Sequence, residues 1–315
     1  MIHEQTNNQD TEPILRLVFL RKSKPNSFNM FNLLDLKISR PGLWFPTIWI
    51  YLVPFGNQVD FWLNSNFWLG LFFVTFPLNY LVYGLNDYND IDADAVNDRK
   101  GNFLFGAKAS KSELKGVLTK IIILTAVFVI AFTFISGLKM FLLLLFMVVV
   151  NILYNFRPFR IKERPPFEIL IQIGYVVTVF FSTELNNLDT LPWQTLVYLS
   201  LFAFQAHIAG EIMDIEPDLA SGKRTTATLI GRKNSKLLML LILVCESVLV
   251  WYWFQDIVLA SFLSLFSAFM VLDIFVIFKG RAYTLPEMKL FGYLINLSAL
   301  ASMLWVLYCG KLLMV

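Results

Sequence analysis

A nearly uncharged segment of this chain ends in a group of acidic residues. In "YGLNDYNDIDADAVNDRKG" (83–101), aspartate recurs at short intervals. If the preceding helix continues through them, Asp87, Asp90 and Asp94 share one face, and Asp92 points elsewhere. Like charges one turn apart destabilise a helix unless a cation binds them. The spacing therefore indicates a site at which a cation is held by oxygen atoms.

A second acidic cluster lies in "GEIMDIEPDLASGKRTTATLIG" (210–231). Asp214 and Asp218 are one helical turn apart, and Glu211 lies one turn earlier. Pro217 can distort this turn, because proline removes a backbone hydrogen bond from a helix. The same kind of carboxylate pair is thus expected in both halves of the chain.

Each acidic cluster is followed by a basic segment, "NDRKGN" with Arg99 and Lys100 and "SGKRTTA" with Lys223 and Arg224. Mg²⁺ prefers oxygen ligands and is commonly bound by carboxylates together with substrate phosphates. Arg and Lys then bind the remaining phosphate oxygens. A solvated acidic loop explains either cluster alone, but the repeated arrangement favours a magnesium-bound polyphosphate.

The segments between these motifs are typical of a polytopic helical membrane protein. Of the residues, 57% are hydrophobic, and apolar runs recur at about 20 residues, the length with which a helix crosses a bilayer. The predicted fold is all-α, a bundle of about nine transmembrane helices. The predicted spans are 42–58, 66–86, 114–136, 138–156, 167–184, 193–213, 236–254, 257–278 and 289–310.

The basic residues predict the orientation of this bundle. Lys and Arg precede the first span and recur in every even-numbered connection, whereas "GNQVDFWLNSN", "ELNNLDTLPW" and "FQD" contain neither. By the positive-inside rule, the N-terminus and both acidic clusters face the cytoplasm and the C-terminus faces the opposite side. We expect 1–40 to be a polar, basic cytoplasmic segment without a cleaved signal peptide, and 41–315 to be one membrane domain.

Composition and position argue against other classes. Cys245 and Cys309 lie inside apolar runs without metal-like spacing, so neither a disulfide framework nor a zinc site is expected. A cation-coupled transporter is disfavoured, because transporter sites lie near the membrane midplane, whereas these carboxylates lie at the ends of spans. The lipid bilayer is an expected partner, and nucleic acid is not.

These stretches resemble the UbiA superfamily of intramembrane prenyltransferases. Its first signature, Asn-Asp-x-x-Asp-x-x-x-Asp, is similar to 86–94, and its second, Asp-x-x-x-Asp, to 214–218. "SRPGLWFPTIW" (39–49) and "YNFRPFRIKERP" (154–165) are also similar, and the order of the motifs is kept. The first cluster looks most like lycopene-elongase-type members, and the second also resembles chlorophyll-synthase and digeranylgeranylglyceryl-phosphate-synthase-type members.

The resemblance implies a central cavity with the two motifs facing each other at its cytoplasmic mouth, where they bind Mg²⁺ and a prenyl diphosphate. It implies that the allylic cation formed from this substrate passes to a hydrophobic acceptor. By position, the implied metal ligands are Asp87, Asp90, Asp94, Asp214 and Asp218, the last four being catalytic. The implied contacts of the diphosphate are Asn86, Arg99, Lys100, Lys162, Lys223 and Arg224.

Three polar residues inside the predicted spans are further candidates. His207 lies one turn before Glu211, and an ionisable residue inside a span is a functional hypothesis by default. A packed, neutral histidine is the alternative. Tyr83 and Asn79 lie one turn apart on the face that leads to Asp87, where they could bind substrate or form interhelical hydrogen bonds.

Two reactions are compatible with these motifs. A prenyltransferase passes the allylic cation to a separate acceptor, whereas a terpene cyclase of the same superfamily lets the substrate's own double bonds capture it. Aromatic faces protect such a cation in either case, and the chain has 31 Phe, 11 Tyr and 8 Trp to supply them. The prenyltransferase is the leading hypothesis, and the motifs alone do not separate the two.

Overall fold

The computed structural model describes residues 31–314, whose regular structure is helical apart from an isolated bridge between Asn102 and Gly106. The helices are α1 (Leu33–Ile38), α2 (Phe45–Leu52), α3 (Ser65–Asn89), α4 (Ile91–Ala95), α5 (Lys111–Asn155), α6 (Phe167–Leu170), α7 (Val177–Asn186), α8 (Trp193–Ser221), α9 (Thr226–Phe254), α10 (Ile257–Leu272) and α11 (Leu285–Cys309).

The predicted spans coincide with these helices. Seven helical segments among the described residues are long and apolar enough to cross a membrane, and α6 and α7 form one of them, Phe167–Asn186. The first predicted span is a shorter apolar helix, Phe45–Phe55. The third and fourth are the two halves of α5, which meet at Gly137. The prediction of an all-α bundle of about nine membrane helices is confirmed.

Gly137 reverses the chain within α5. Its φ of 77° and ψ of −162° are not helical, and glycine adopts a positive φ without the strain that a Cβ atom would cause. Before it, α5 runs antiparallel to α3: Ile121 lies against Gly84 near the end of α3, and Phe132 contacts Phe73 near its middle. After it, α5 returns, so that α3 and α5 end side by side.

Two apolar clusters fix the helices that carry the acidic motifs. The first joins α3, α5 and α7, where the rings of Phe73, Phe132 and Phe181 lie within 5.0–5.2 Å of one another. Each such aromatic pair contributes about 0.5–1.5 kcal/mol beyond its buried area. The second joins α2, α8, α9 and α10, with Trp49 against Tyr198. One cluster therefore holds the first motif, and the other holds the second.

The segment before the first span belongs partly to the bundle. Within the predicted 1–40 segment, α1 packs on α3: the fully buried Asp35 accepts hydrogen bonds of 2.6 Å from both Tyr80 and Lys120. This contact places Arg40, which follows α1, beside the end of α3. The rest of the predicted N-terminal segment, 1–30, lies outside the described residues.

Candidate active site

The first acidic motif lies where α3 ends. Asp90 has φ −115° and ψ 20°, so the continuous helix considered from the sequence is interrupted at this residue, and α4 begins at Ile91. The break turns the chain across to α8, where the Asn97 amide donates to Asp214 Oδ1 at 3.1 Å. This turn therefore brings the segment that follows the first motif into contact with the second motif.

Asp90 is surrounded by three cations from two other connections. Its Oδ1 lies 2.7 Å from Lys162 Nζ and 3.3 Å from the guanidinium of Arg160, and its Oδ2 lies 2.6 Å from Lys223 Nζ. Burial by itself raises the pKa of Asp90, but Lys162 and Lys223 outweigh it and lower the pKa to about 2. Burial lowers the pKa of Lys162 to about 8, against the opposing effect of Asp90.

Asp87 lies behind the site. Its Oδ1 is 2.7 Å from Arg40 and 2.6 Å from Lys100, and it does not line either of the cavities described below. Lys100 also reaches Asp94 Oδ2 at 2.8 Å. Burial raises the pKa of Asp94 to about 6, although Lys100 opposes this rise. The Arg40 guanidinium stacks 4.4 Å above the ring of Tyr83.

The second motif keeps its helical register. Helix α8 continues through Pro217 to Ser221, so Asp214 and Asp218 remain one turn apart. Asp214 pairs with Arg99, and its side chain is 27% exposed. Asp218 Oδ1 lies 3.7 Å from Lys223 Nζ. The two motifs therefore share one site, with Lys223 reaching both Asp90 and Asp218.

The start of α9 positions the second basic segment. The backbone N–H and hydroxyl of Thr226 donate to Glu168 Oε1 at 2.5 and 2.6 Å, and the N–H of Ala227 donates to Glu211 Oε2 at 3.0 Å. These two buried carboxyl groups satisfy backbone donors that the first turn of a helix leaves unpaired. Lys223 reaches Asp90 from this segment, while its neighbour Arg224 is exposed.

A cavity of about 880 Å³ extends from these residues into the bundle. Its mouth is formed by charged residues of both motifs, and its deeper wall is aromatic and aliphatic. The aromatic wall residues include Trp49, Tyr83, Tyr154, Tyr175, Tyr198 and Phe202. A polar recess of about 50 Å³ adjoins the mouth, lined among others by Asn86, Asp90, Asp94, Asp214 and Asp218. The site combines a charged mouth with an apolar interior.

Three of the predicted residues, Asp87, Asn79 and Arg224, line neither the cavity nor the recess, and two basic residues of the site were not predicted. Asn79 is buried, and its amide donates to Thr47 Oγ1 and the Val74 carbonyl, both at 2.8 Å, so it forms the interhelical hydrogen bond that was the alternative. Arg224 is not a lining residue. Arg40 and Arg160 were missed as site residues, although both occur in the stretches 39–49 and 154–165 that carry the resemblance.

The donor set fits Mg²⁺ that arrives with a diphosphate. Among the residues described, no three Asp, Glu, His or Cys side chains form a group that could hold a metal ion by themselves. The polar recess nevertheless presents hard oxygen donors from both motifs, and Mg²⁺ commonly binds one or two carboxylates plus phosphates. The carboxylates now contact Lys and Arg side chains, which are the groups that phosphate oxygens bind.

Comparison with known proteins decides the family. Residues 43–308 match the model of the UbiA prenyltransferase family. The chain belongs to this family. A lycopene elongase/hydratase of Corynebacterium glutamicum is 31% identical over 228 residues, which cover 69% of this chain and 76% of that protein. A lycopene elongase/hydratase of Haloarcula japonica is 27% identical over 208 residues, covering 64% and 68%.

Solved structures share the fold of this UbiA family member. A UbiA homolog from Archaeoglobus fulgidus bound to DMAPP and Mg²⁺ gives a TM-score of 0.61 at 18% identity and covers 86% of this chain and 99% of that one. The same homolog bound to GPP and Mg²⁺ gives 0.60, with 85% and 99% covered. With its membrane-length helices, the chain is an integral, multi-pass membrane protein.

Proposed function

We propose that this UbiA family member ionises a prenyl diphosphate with the help of Mg²⁺ and transfers the prenyl group to a hydrophobic acceptor. The observation that carries the proposal is the convergence of Lys162 and Lys223 on Asp90, at the mouth of an aromatic cavity and between the two motifs. The Archaeoglobus fulgidus homolog, whose structures contain DMAPP or GPP with Mg²⁺, supports the choice of substrate.

The basic residues of the mouth would act on the leaving group. Departure of diphosphate develops negative charge, so Lys162, Lys223 and Arg99 stabilise the transition state more than the ground state. Bound Mg²⁺ would neutralise further charge on the diphosphate. The residues that would hold it are Asp90, Asp94, Asp214 and Asp218, with Asn86 beside them.

The deeper wall would protect the allylic cation. Trp49, Tyr83 and Tyr154 line the cavity, and aromatic faces attract positive charge through their quadrupoles. An apolar interior also keeps water away from the cation. Tyr83 is oriented by Arg40, which stacks on its ring and is itself held by Asp87.

We propose a linear polyene hydrocarbon as the acceptor. Two relatives named lycopene elongase/hydratase support this class. The cavity supports it as well, because its lining includes the exposed apolar side chains of Leu265 and Leu272 on α10 and of Leu294 on α11. A lipid-soluble acceptor can therefore reach the cavity from the hydrocarbon region of the bilayer, where it dissolves.

The test is a reconstitution of the purified chain in lipid vesicles with Mg²⁺, dimethylallyl diphosphate and lycopene. We expect release of diphosphate together with prenylated lycopene, and loss of both when Mg²⁺ is chelated. A parallel reaction with geranylgeranyl diphosphate and no acceptor tests the cyclase alternative. A cyclic hydrocarbon from that reaction, with no transfer to lycopene, would refute the prenyltransferase proposal.

A further inference from the structure

The cavity contains an ionisable pair that the diphosphate chemistry does not use. His207 and Glu211 line the cavity one turn apart on α8, and His207 Nε2 lies 2.9 Å from Glu211 Oε1. Neither atom forms a hydrogen bond among residues 31–314, so the two groups are close enough for a charge interaction and are otherwise unpartnered at these atoms. The other oxygen of Glu211 accepts the N–H of Ala227. The carboxyl group is thus fixed in place, and it faces the imidazole.

This pair lies deeper along α8 than the carboxylates of the mouth, on the side where the prenyl group would react after ionisation. His207 precedes Asp214 by two helical turns, which is about 10 Å along the axis. If the diphosphate lies at the level of Asp214, the carbon that leaves it lies between that level and His207. The Tyr154 ring, 6.3 Å from the imidazole between centroids, forms part of the same wall. With the diphosphate at that level, the histidine would lie near the carbon with which the acceptor reacts.

The reaction with an alkene acceptor must release a proton. The C–O bond to diphosphate breaks, and its electron pair leaves with the diphosphate. The π electrons of the acceptor form the new C–C bond, which leaves a cation on the neighbouring acceptor carbon. That cation ends either by losing a proton from an adjacent carbon, whose C–H electrons form a double bond, or by adding water, which then loses a proton. Either route needs a base in the cavity.

We infer that His207 is the catalytic base that accepts this proton, and that Glu211 is a positioning residue that orients the ring and stabilises its protonated form. The inference rests on the proposed function. With Nε2 beside Glu211, the other ring nitrogen, Nδ1, would take the proton, and the carboxylate would attract the positive charge that the ring gains. The proton then passes to water or diphosphate at the mouth.

The experiment compares the full-length wild type with His207→Ala, His207→Gln and Glu211→Gln in vesicles with dimethylallyl diphosphate, lycopene and Mg²⁺. Diphosphate release and products are measured separately. For His207→Ala we expect diphosphate release within about threefold of wild type, because ionisation is intact, and at least a tenfold loss of the wild-type product. Glu211→Gln should give the same change at a smaller size. Added imidazole should restore the product for His207→Ala, because the missing group is then supplied.

Ser200→Ala is the matched control, since within the described part of the chain the Ser200 hydroxyl donates only to the Leu196 carbonyl of the same helix, at 2.7 Å. Water labelled with ¹⁸O shows whether the proton comes from carbon or from added water. The inference fails if His207→Ala makes the wild-type product at the wild-type rate. It fails equally if diphosphate release and product fall together without imidazole rescue. Absence of prenyl transfer by the wild type would instead refute the proposed function, and this inference with it.

Discussion

The two aspartate motifs have similar spacing but very different surroundings. Asp90 has a side-chain exposure of 2% and contacts three cations among residues 31–314, whereas Asp214 is 27% exposed and contacts one of them, Arg99. In the first motif, Asp90 therefore fixes the positions of basic side chains through its ion pairs. Both motifs line the recess, and Asp214 is more exposed there than Asp90. Identical residue types at similar spacing need not do the same work, because the neighbouring cations decide which oxygens remain available.

The largest expected effects come from removing one aspartate of each motif, and turnover and stability together distinguish the two. We expect Asp90→Ala and Asp214→Ala each to lower diphosphate release by at least a hundredfold. Only Asp90→Ala should also lower the thermal unfolding temperature, because removing one partner of a buried ion pair costs about 3–5 kcal/mol. Turnover and unfolding in detergent measure both, with Asp90→Asn as the isosteric control. Equal stability of the two Ala variants would contradict the difference between the motifs.

The second effect concerns the metal. Asp218→Asn should raise the Mg²⁺ concentration that gives half-maximal turnover by about tenfold, because it removes a negatively charged oxygen ligand from the recess. Lys162→Ala should instead raise the half-saturating diphosphate concentration. Titrations of both ligands on both variants test this division. If Asp218→Asn shifted only the diphosphate titration, Asp218 would not be one of the residues that hold the metal.

The third effect concerns two basic residues predicted from the sequence to act alike. Lys162→Ala removes a buried ammonium 2.7 Å from Asp90 and should weaken prenyl diphosphate binding by at least tenfold. Arg224→Ala removes an exposed side chain outside the cavity wall and should change binding by less than about twofold. Competition binding with a non-hydrolysable prenyl diphosphate analogue compares them. A larger effect of Arg224→Ala would mean that the segment before α9 moves when substrate binds.

The last test leaves activity unchanged and asks whether both motifs face one compartment. In a background with Cys245 and Cys309 replaced by Ala, exposed positions are changed to cysteine in Asp92→Cys, Ser221→Cys and Asn187→Cys. The first two should react with impermeant thiol reagents from the cytoplasmic side, and Asn187→Cys from the opposite side. Labelling of positions 92 and 221 from opposite sides would contradict both the orientation and the shared site.

Hydropathy predicted the spans because burial in lipid demands long apolar runs, and this demand is visible residue by residue. The partners of the charges were not predictable in the same way. Arg40 reaches Asp87 because α1 packs on α3. Glu168 contacts Thr226 although two membrane spans separate them in the sequence. Contacts between distant segments follow from packing, which a single sequence does not display.

Sequence position also predicted substrate contacts for residues that do not reach the cavity. Asn79 shares a face with Tyr83, yet nearby carbonyl groups and Thr47 bind its amide before any substrate could. Arg224 is adjacent to Lys223, but the chain leaves helical geometry between Gly222 and Thr225, so neighbouring side chains diverge. Local periodicity states which residues can share a face, and only the surrounding atoms determine which of them reach the cavity.

The reversal at Gly137 determines on which side of the membrane every later connection lies. At about 1.5 Å per residue, the 45 residues of α5 would extend about 67 Å if straight, roughly twice the thickness of the hydrocarbon layer. A straight helix would leave Lys162 far from Asp90 and would exchange the two sides for all that follows, including the second motif. One backbone conformation, distant along the chain from both aspartate motifs, thus decides that the two halves of the chain meet at one site.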